Sequence, residues 1–259
     1  MQQIPMIQTD SNWSPPSLLP DLTNEKEIAI DLETRDPNLI KQGPGWATGD
    51  GEVVGIAVAS KDWSGYLPIR HEGGGNLDKT FILSWLERQL NTNSDKVFHN
   101  SSYDVGWLKR EGILVSGKIQ DTMIAAPLLN ENRNRYSLDS LGAEYCGERK
   151  DETLLKEAAQ EWGINPKAEM WKLPSKYVGA YAEQDAVLTL KLWNEMKPLL
   201  EKQNLSAIYE LESGLLPLLI EMRWRGILID QDKAAQTSET LKVKEKETLK
   251  QIKRLCGMD

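Results

Sequence analysis

Cysteine is scarce in this chain of 259 residues, and the two present, Cys146 and Cys256, lie far apart. That spacing excludes a disulfide framework and a zinc site built on paired cysteines, and it fits a reducing cytosol. Long apolar runs are missing too. No stretch approaches the length of a membrane span, and the N-terminus lacks the charged-then-apolar pattern of a secretory leader. Positive charge is in deficit: the net charge is -8 and the pI about 5.1. This excludes a basic nucleic-acid coat but not nucleic acid as a substrate, because a metal-centred site brings its own positive charge and needs carboxylates to hold it. There is no internal repeat. The run Gly73-Gly74-Gly75 is no phosphate cradle, since it lacks both the Gly-x-Gly-x-x-Gly spacing and a P-loop lysine.

What the chain does have is an ordinary globular balance, 40% hydrophobic and 27% charged, in a length that can bury one large core or two modest ones. Residues 1–20 are polar, with Pro15, Pro16 and Pro20 near their end, and read as a poorly ordered arm. Then Ile28-Ala29-Ile30-Asp31-Leu32-Glu33-Thr34 rises as an apolar run that ends in two carboxylates. As a strand, its period of two puts Asp31 and Glu33 on one face. Neighbouring carboxylates repel unless a cation or a proton sits between them, so such a strand end suits a divalent metal. The loop from Gly43 to Gly51 is either a solvent loop or a flap whose Trp46 offers a stacking platform for a base.

Residues 53–59 and 63–69 read as a hairpin, and residues 77–90 as an amphipathic helix. Lys96 to His99 is a short strand, followed by Asn100 to Asp104 and a helix through Leu108. Asp121 caps another helix. His99 is expected to pack or hydrogen-bond rather than act as a base, and His71 to lie in a loop. Residues 137–162 are helical with a break near Gly147, and 175–200 form a long helix. On it, Tyr181 and Asp185 stand four residues apart and leave the same face. Alternating strands and helices imply an α/β layer with a mixed sheet.

Three short motifs in order, Asp31-Leu32-Glu33-Thr34, His99-Asn100-Ser101-Ser102-Tyr103-Asp104 and Tyr181-Ala182-Glu183-Gln184-Asp185-Ala186, resemble those of the DEDD superfamily of 3′-5′ exonucleases, in the branch completed by a tyrosine. The resemblance implies an RNase H-like fold: a mixed five-stranded sheet, its first three strands antiparallel, flanked by helices. It also implies hydrolysis of phosphodiesters with two divalent ions, Mg2+ or Mn2+, about 4 Å apart. In that likeness Asp31 bridges both ions, Glu33 and Asp185 complete the site on the nucleophile side, and Asp104 holds the ion on the leaving-group side. Tyr181 orients the attacking water. Thr34, Asn100 and Tyr103 match positions near the substrate strand. Leu39 is the candidate for a base wedge, although Arg35-Asp36-Pro37 displaces it from the usual place.

Each residue also has a plainer use. Asp31 and Glu33 suit a solvated strand end, Asp104 a helix cap, Tyr181 a core position and Asp185 a wet helix face. The segment from Leu211 through Met222 and Arg225-Gly226-Ile227-Leu228-Ile229-Asp230 resembles the passage from exonuclease to polymerase domain in family A DNA polymerases. The expected organisation is an arm at 1–21, an exonuclease domain at 22–203 and the helical start of an incomplete polymerase domain at 204–259. Either a fragment of a longer polymerase or one half of a split one fits, in the cytoplasm of a bacterium or a phage-infected cell and without synthesis by this chain. The expected substrate is DNA at single-stranded or frayed 3′ ends, with a polymerase domain as partner. An RNA-trimming exonuclease and a nuclease-inactive DNA-binding scaffold are the alternatives.

Overall fold

The structure is a computed structural model, and it describes residues 10–257. Five strands form one sheet in the order β3-β2-β1-β4-β5. They are β1 (Glu27–Arg35), β2 (Glu52–Ala59), β3 (Ser64–Pro68), β4 (Asp95–Phe98) and β5 (Ile119–Asp121). β1, β2 and β3 pair antiparallel, while β4 runs parallel to β1 and β5 parallel to β4. This is the mixed sheet expected from the motifs. The hairpin β2–β3 turns through residues 60–63, where the Ser60 amide donates to the Trp63 carbonyl at 2.7 Å. Parallel strands need crossovers, and helices supply them. α3 (Lys79–Leu90) leads to β4, and α4 (Ser101–Arg110) leads from β4 to β5.

β1 is the strand on which both layers rest. Its even residues Ile28, Ile30 and Leu32 join a cluster with Trp85 and Leu86 of α3 and Trp107 and Leu108 of α4. Its odd residue Ala29 joins the opposite cluster, built on Ala57, Ala59, Ala182, Ala186 and Trp193. The second layer is dominated by α8 (Gly179–Lys202), which packs over β1, β2 and β3. Alanines on both sides of that contact let the helix backbone come close to the sheet. Short carboxylate side chains can then meet across it.

The remaining helices are short or peripheral. α1 (Leu39–Gln42) and α2 (Gly45–Thr48) occupy the Gly- and Pro-rich stretch. α5 (Thr122–Leu129) follows β5. α6 (Leu138–Leu141) runs into a π-helical turn that ends at Gly147, and α7 (Thr153–Trp162) follows. Two 3-10 turns at Met170–Lys172 and Ser175–Tyr177 lead into α8, so the helix begins later than its sequence pattern predicts. α9 (Ser206–Arg225) buries Tyr209, Ser213, Leu216 and Ile220, one face at helical spacing.

The chain divides into two compact units, Met1–Trp224 and Arg225–Asp259. The second consists of a short extended piece and α10 (Gln231–Cys256). Asp230 caps that helix by accepting from the Lys233 amide at 2.9 Å, and no residue of the helix is buried. The described part of the N-terminal arm corrects the expectation of a loose lead-in. Ser11 donates to the Lys176 carbonyl at 2.7 Å, and Trp13 lies 5.9 Å from the Tyr66 ring. A Cβ on Gly179 would fall 2.2 Å from the Trp13 indole, so only glycine fits at the start of α8. Residues 1–9 of that arm lie outside the described residues.

Candidate active site

Period two along β1 turns Asp31 and Glu33 toward the α8 layer, the face that Ala29 shares. The strand runs on to Arg35, so the pair sits inside it rather than at its end. The β1–β2 register shifts between Glu33 and Thr34, where β2 contributes one extra residue, Val54. From α8, Asp185 meets the pair. One oxygen each from Asp31, Glu33 and Asp185 lies within 4.8 Å of the others. Glu33 and Asp185 are buried, and Asp31 retains partial exposure.

Three carboxyls so close cannot all ionise easily. Burial, then the charge of Asp185, pushes Asp31 up from 3.8 to about 7, with Lys150 pulling it down. Burial raises Glu33 well above its ordinary value, helped by Asp31 and Asp185. Asp185 is raised by burial and pulled back by Lys150 and by the Tyr181 hydroxyl. Burial also raises Tyr181, with Glu33, Asp185 and Asp31 adding to the effect. A phenol pushed upward is a neutral hydroxyl, a hydrogen-bonding group rather than a base.

The donor set fits a hard divalent cation. It offers carboxylate oxygens only, and Asp185 Oδ1 is buried with no hydrogen-bond partner. An unserved buried carboxylate oxygen is costly, and a cation among the three carboxyls removes that cost together with their repulsion.

Asp104 stands apart from the three-oxygen group. It lies in the first turn of α4, whose Trp107 and Leu108 belong to the opposite layer, so it approaches from a different side than Asp185 does. It is no N-cap: the helix begins at Ser101, earlier than predicted. Asp104 is nonetheless buried and raised well above its ordinary value, by burial first and then by the charges of Asp31 and Asp121.

Thr34 and Tyr103 are brought together at 2.8 Å. The Tyr103 hydroxyl donates to Asp36 at 3.0 Å, so Thr34 is the donor to Tyr103. Asn100 is exposed and left-handed at φ 76°, and its side chain makes no cap. Leu39 is 38% exposed on α1. Trp46 is not a stacking platform, which corrects the flap reading. It is only 3% exposed, stacks on Trp224 at 6.3 Å, and leaves no room for a Cβ on Gly106 of α4. His71 lies in a loop, as expected, but is buried there. Its Nδ1 donates to the Leu173 carbonyl at 2.9 Å, so its Nε2 accepts from the Tyr66 hydroxyl at 2.7 Å. Burial pushes its pKa down to about 4. His99 does hydrogen-bond, to Thr122 at 2.8 Å.

Sequence reasoning missed Lys150 and saw only part of the role of Asp121. Asp121 was expected to cap one helix, and it caps two. Its Oδ1 accepts from the Met123 amide at 2.8 Å and the Asn100 amide at 3.1 Å. Its Oδ2 accepts from the amide and the hydroxyl of Ser101, both at 2.7 Å. It therefore fixes the α4 turn that carries Asp104. Lys150 was not singled out at all. Its Nζ lies 2.5 Å from Asp185 Oδ2 and donates to the Tyr181 hydroxyl at 2.8 Å. It comes from the link between the π-helical turn and α7, which carries no local signal of chemistry.

The family model for the 3′-5′ exonuclease of DNA polymerase A matches residues 7–201. The DNA-directed DNA polymerase of Pseudomonas phage M6 is 40% identical over 263 residues, covering 98% of this chain and 40% of that polymerase. The chain spans about two fifths of the length of the curated phage relatives it matches. The POL domain of Pol1 from M. smegmatis, in complex with DNA primer-template and dNTP, has a TM-score of 0.64 at 14% identity, over 92% of this chain and 35% of that one. NrnC of Brucella melitensis with bound Mg2+ has a TM-score of 0.57 at 18% identity, over 80% of this chain and 90% of that one. At those identities the two solved structures speak to the fold alone.

Proposed function

The chain belongs to the 3′-5′ exonuclease family of DNA polymerase A, and from that premise we propose that it releases nucleoside monophosphates one at a time from single-stranded or frayed DNA 3′ ends. The observation that carries this is the convergence of Asp31, Glu33 and Asp185 within 4.8 Å, with an unserved oxygen on Asp185. We assign these three to two divalent ions, Mg2+ or Mn2+, with Asp104 as the fourth ligand residue. When bound, such ions acidify the attacking water and neutralise charge on the departing oxygen. Asp31 and Glu33 present their carboxylates from a rigid strand, and Asp185 and Tyr181 from one face of a rigid helix. Little reorganisation is therefore needed at the moment of reaction. Tyr181 holds the attacking water by hydrogen bonding and leaves the proton to be lost elsewhere.

The exposed rim supplies the substrate side. Thr34 and Tyr103, tied to each other and to Asp36, line the approach for the terminal nucleotide. Asn100 and Leu39 are exposed, one polar and one apolar, and we assign them to the same strand of substrate. The partner on this reading is DNA, together with a polymerase domain, in the cytoplasm of a bacterial or phage-infected cell. Among the described residues no helix is long and apolar enough to cross a membrane.

The test is digestion of 5′-labelled single-stranded DNA with Mg2+ or Mn2+. A ladder shortening from the 3′ end, with mononucleotide product and complete loss in EDTA, is expected. Cleavage of RNA but not DNA points instead to an RNA-trimming enzyme. No metal-dependent product from either overturns the assignment.

A further inference from the structure

Lys150 places a positive charge inside the cluster of acids. Its Nζ is 2.5 Å from Asp185 Oδ2, 2.8 Å from the Tyr181 hydroxyl and 4.5 Å from the centre of the Tyr181 ring, and its side chain is 13% exposed. The backbone around it is fastened at several points. The Lys150 amide donates to Asp139 at 3.1 Å. The Asp151 amide donates to Gln184 Oε1 at 2.9 Å, and Gln184 Nε2 donates to the Arg149 carbonyl at 3.2 Å. Gln184 stands between Tyr181 and Asp185 on α8, so the helix that carries the two site residues also clamps the link that carries the lysine. A long surface lysine rarely stays in one place, because ordering its side chain costs entropy. Here the clamp fixes its base, and the burial of its target makes the ion pair strong.

We propose that Lys150 is a positioning residue that holds Asp185 and Tyr181 as a tethered cation and must release Asp185 when a divalent ion binds, so that it sets the metal affinity of the site. The proposal rests on the metal reading above. The geometry supports it: Lys150 engages Asp185 through one oxygen only, leaving Oδ1 unserved. The lysine thus satisfies the cluster in part: enough to keep the acids gathered, not enough to replace a multivalent ion. Once the ion is bound, two cations on one carboxylate repel each other, and the flexible four-carbon stem of lysine lets it withdraw. Its remaining bond, to Tyr181, keeps the phenol oxygen engaged as an acceptor.

The test is calorimetric titration of the full chain with Mn2+. Removing a competing, charge-assisted contact makes Lys150→Met bind Mn2+ tighter, by about ten-fold or more. Lys150→Arg keeps the charge and is expected to bind like the wild type. Lys150→Gln, which keeps a donor for Tyr181 without the charge, repeats the measurement if the methionine variant folds poorly. General damage to the site weakens binding, so a tightening cannot come from a merely structural role. Unchanged or weaker binding in both neutral variants overturns the proposal while leaving the metal site standing. Asp185→Asn separates the two claims: it is expected to lose Mn2+, and if it binds like the wild type then the metal reading fails and this proposal with it.

Discussion

Two buried corners of this molecule are built on aspartate, and they are finished differently. At the β5–α5 corner, Asp121 accepts four hydrogen bonds, two at each oxygen, from Asn100, Ser101 and Met123. A carboxylate has about four acceptor positions, and all are filled. At the β1–α8 corner, Asp31, Glu33 and Asp185 face one another, and Asp185 keeps one oxygen without a partner. Served by donors, a buried acid is a brace. Left facing other acids, it is a receptor for a cation. The contrast follows from where the donors come from: helix N-termini offer free amides beside Asp121, whereas the β1 amides next to Asp31 and Glu33 are already used by the sheet.

The largest expected effect is at Asp31, one of the three converging acids. Asp31→Asn is expected to lower exonuclease turnover by at least about a thousand-fold. In EDTA its melting temperature stays level or rises, because one source of repulsion is gone. Turnover on single-stranded DNA and a melt of the same sample check both halves. Tyr181→Phe keeps the ring and removes one hydroxyl. Its expected cost is a positioning loss of about ten- to a thousand-fold in turnover with Mn2+ affinity little changed. A large drop in melting temperature with turnover intact makes it a core residue instead.

Asp121→Ala reverses the pattern. Losing four donors' partner costs about 3 kcal/mol, and hence about 6–12 °C in melting temperature for a chain of this size. Turnover falls only as far as α4, which carries Asp104, is loosened. If Asp121→Ala proves silent in the melt and lethal to catalysis, the two corners are not the different things described here.

The last expected effect is in pH. Asp31 is raised from 3.8 to about 7, so between those values the folded, metal-free protein binds more protons than the unfolded chain. Stability is therefore greatest below the unfolded value and falls as pH rises through the window from about 4 to 7. Saturating Mn2+ is expected to remove or invert this slope, since the ion takes the place of the protons. A metal-free melting temperature that climbs from pH 5 to pH 8 contradicts the sign.

The comparison also shows what a sequence can carry. Period two in β1 and spacing four in α8 put Asp31, Glu33, Tyr181 and Asp185 on the right faces, because both are local rules. The tail helix ending before Gly226 and the fresh helix after Asp230 were legible from local signals too. β5 was not: three residues are too few to alternate, and its pairing to β4 is parallel and distant. α1 and α2 are single turns inside a Gly-Pro stretch, where composition speaks for a loop. Trp46 looked exposed because its neighbours are glycines, and its burial comes from Trp224 and Gly106, far along the chain. His71 finds its acceptor 102 residues away, and Lys150 its phenol 31 residues away. Function that depends on such pairs leaves no local trace.

The most direct measurement is anomalous diffraction from crystals grown with Mn2+ at neutral pH. The account predicts manganese bound by carboxylate oxygens of Asp31, Glu33 and Asp185, and no density at Asp121, whose oxygens are already served. Manganese at Asp121, or none near β1 and α8 at concentrations that support DNA digestion, contradicts it.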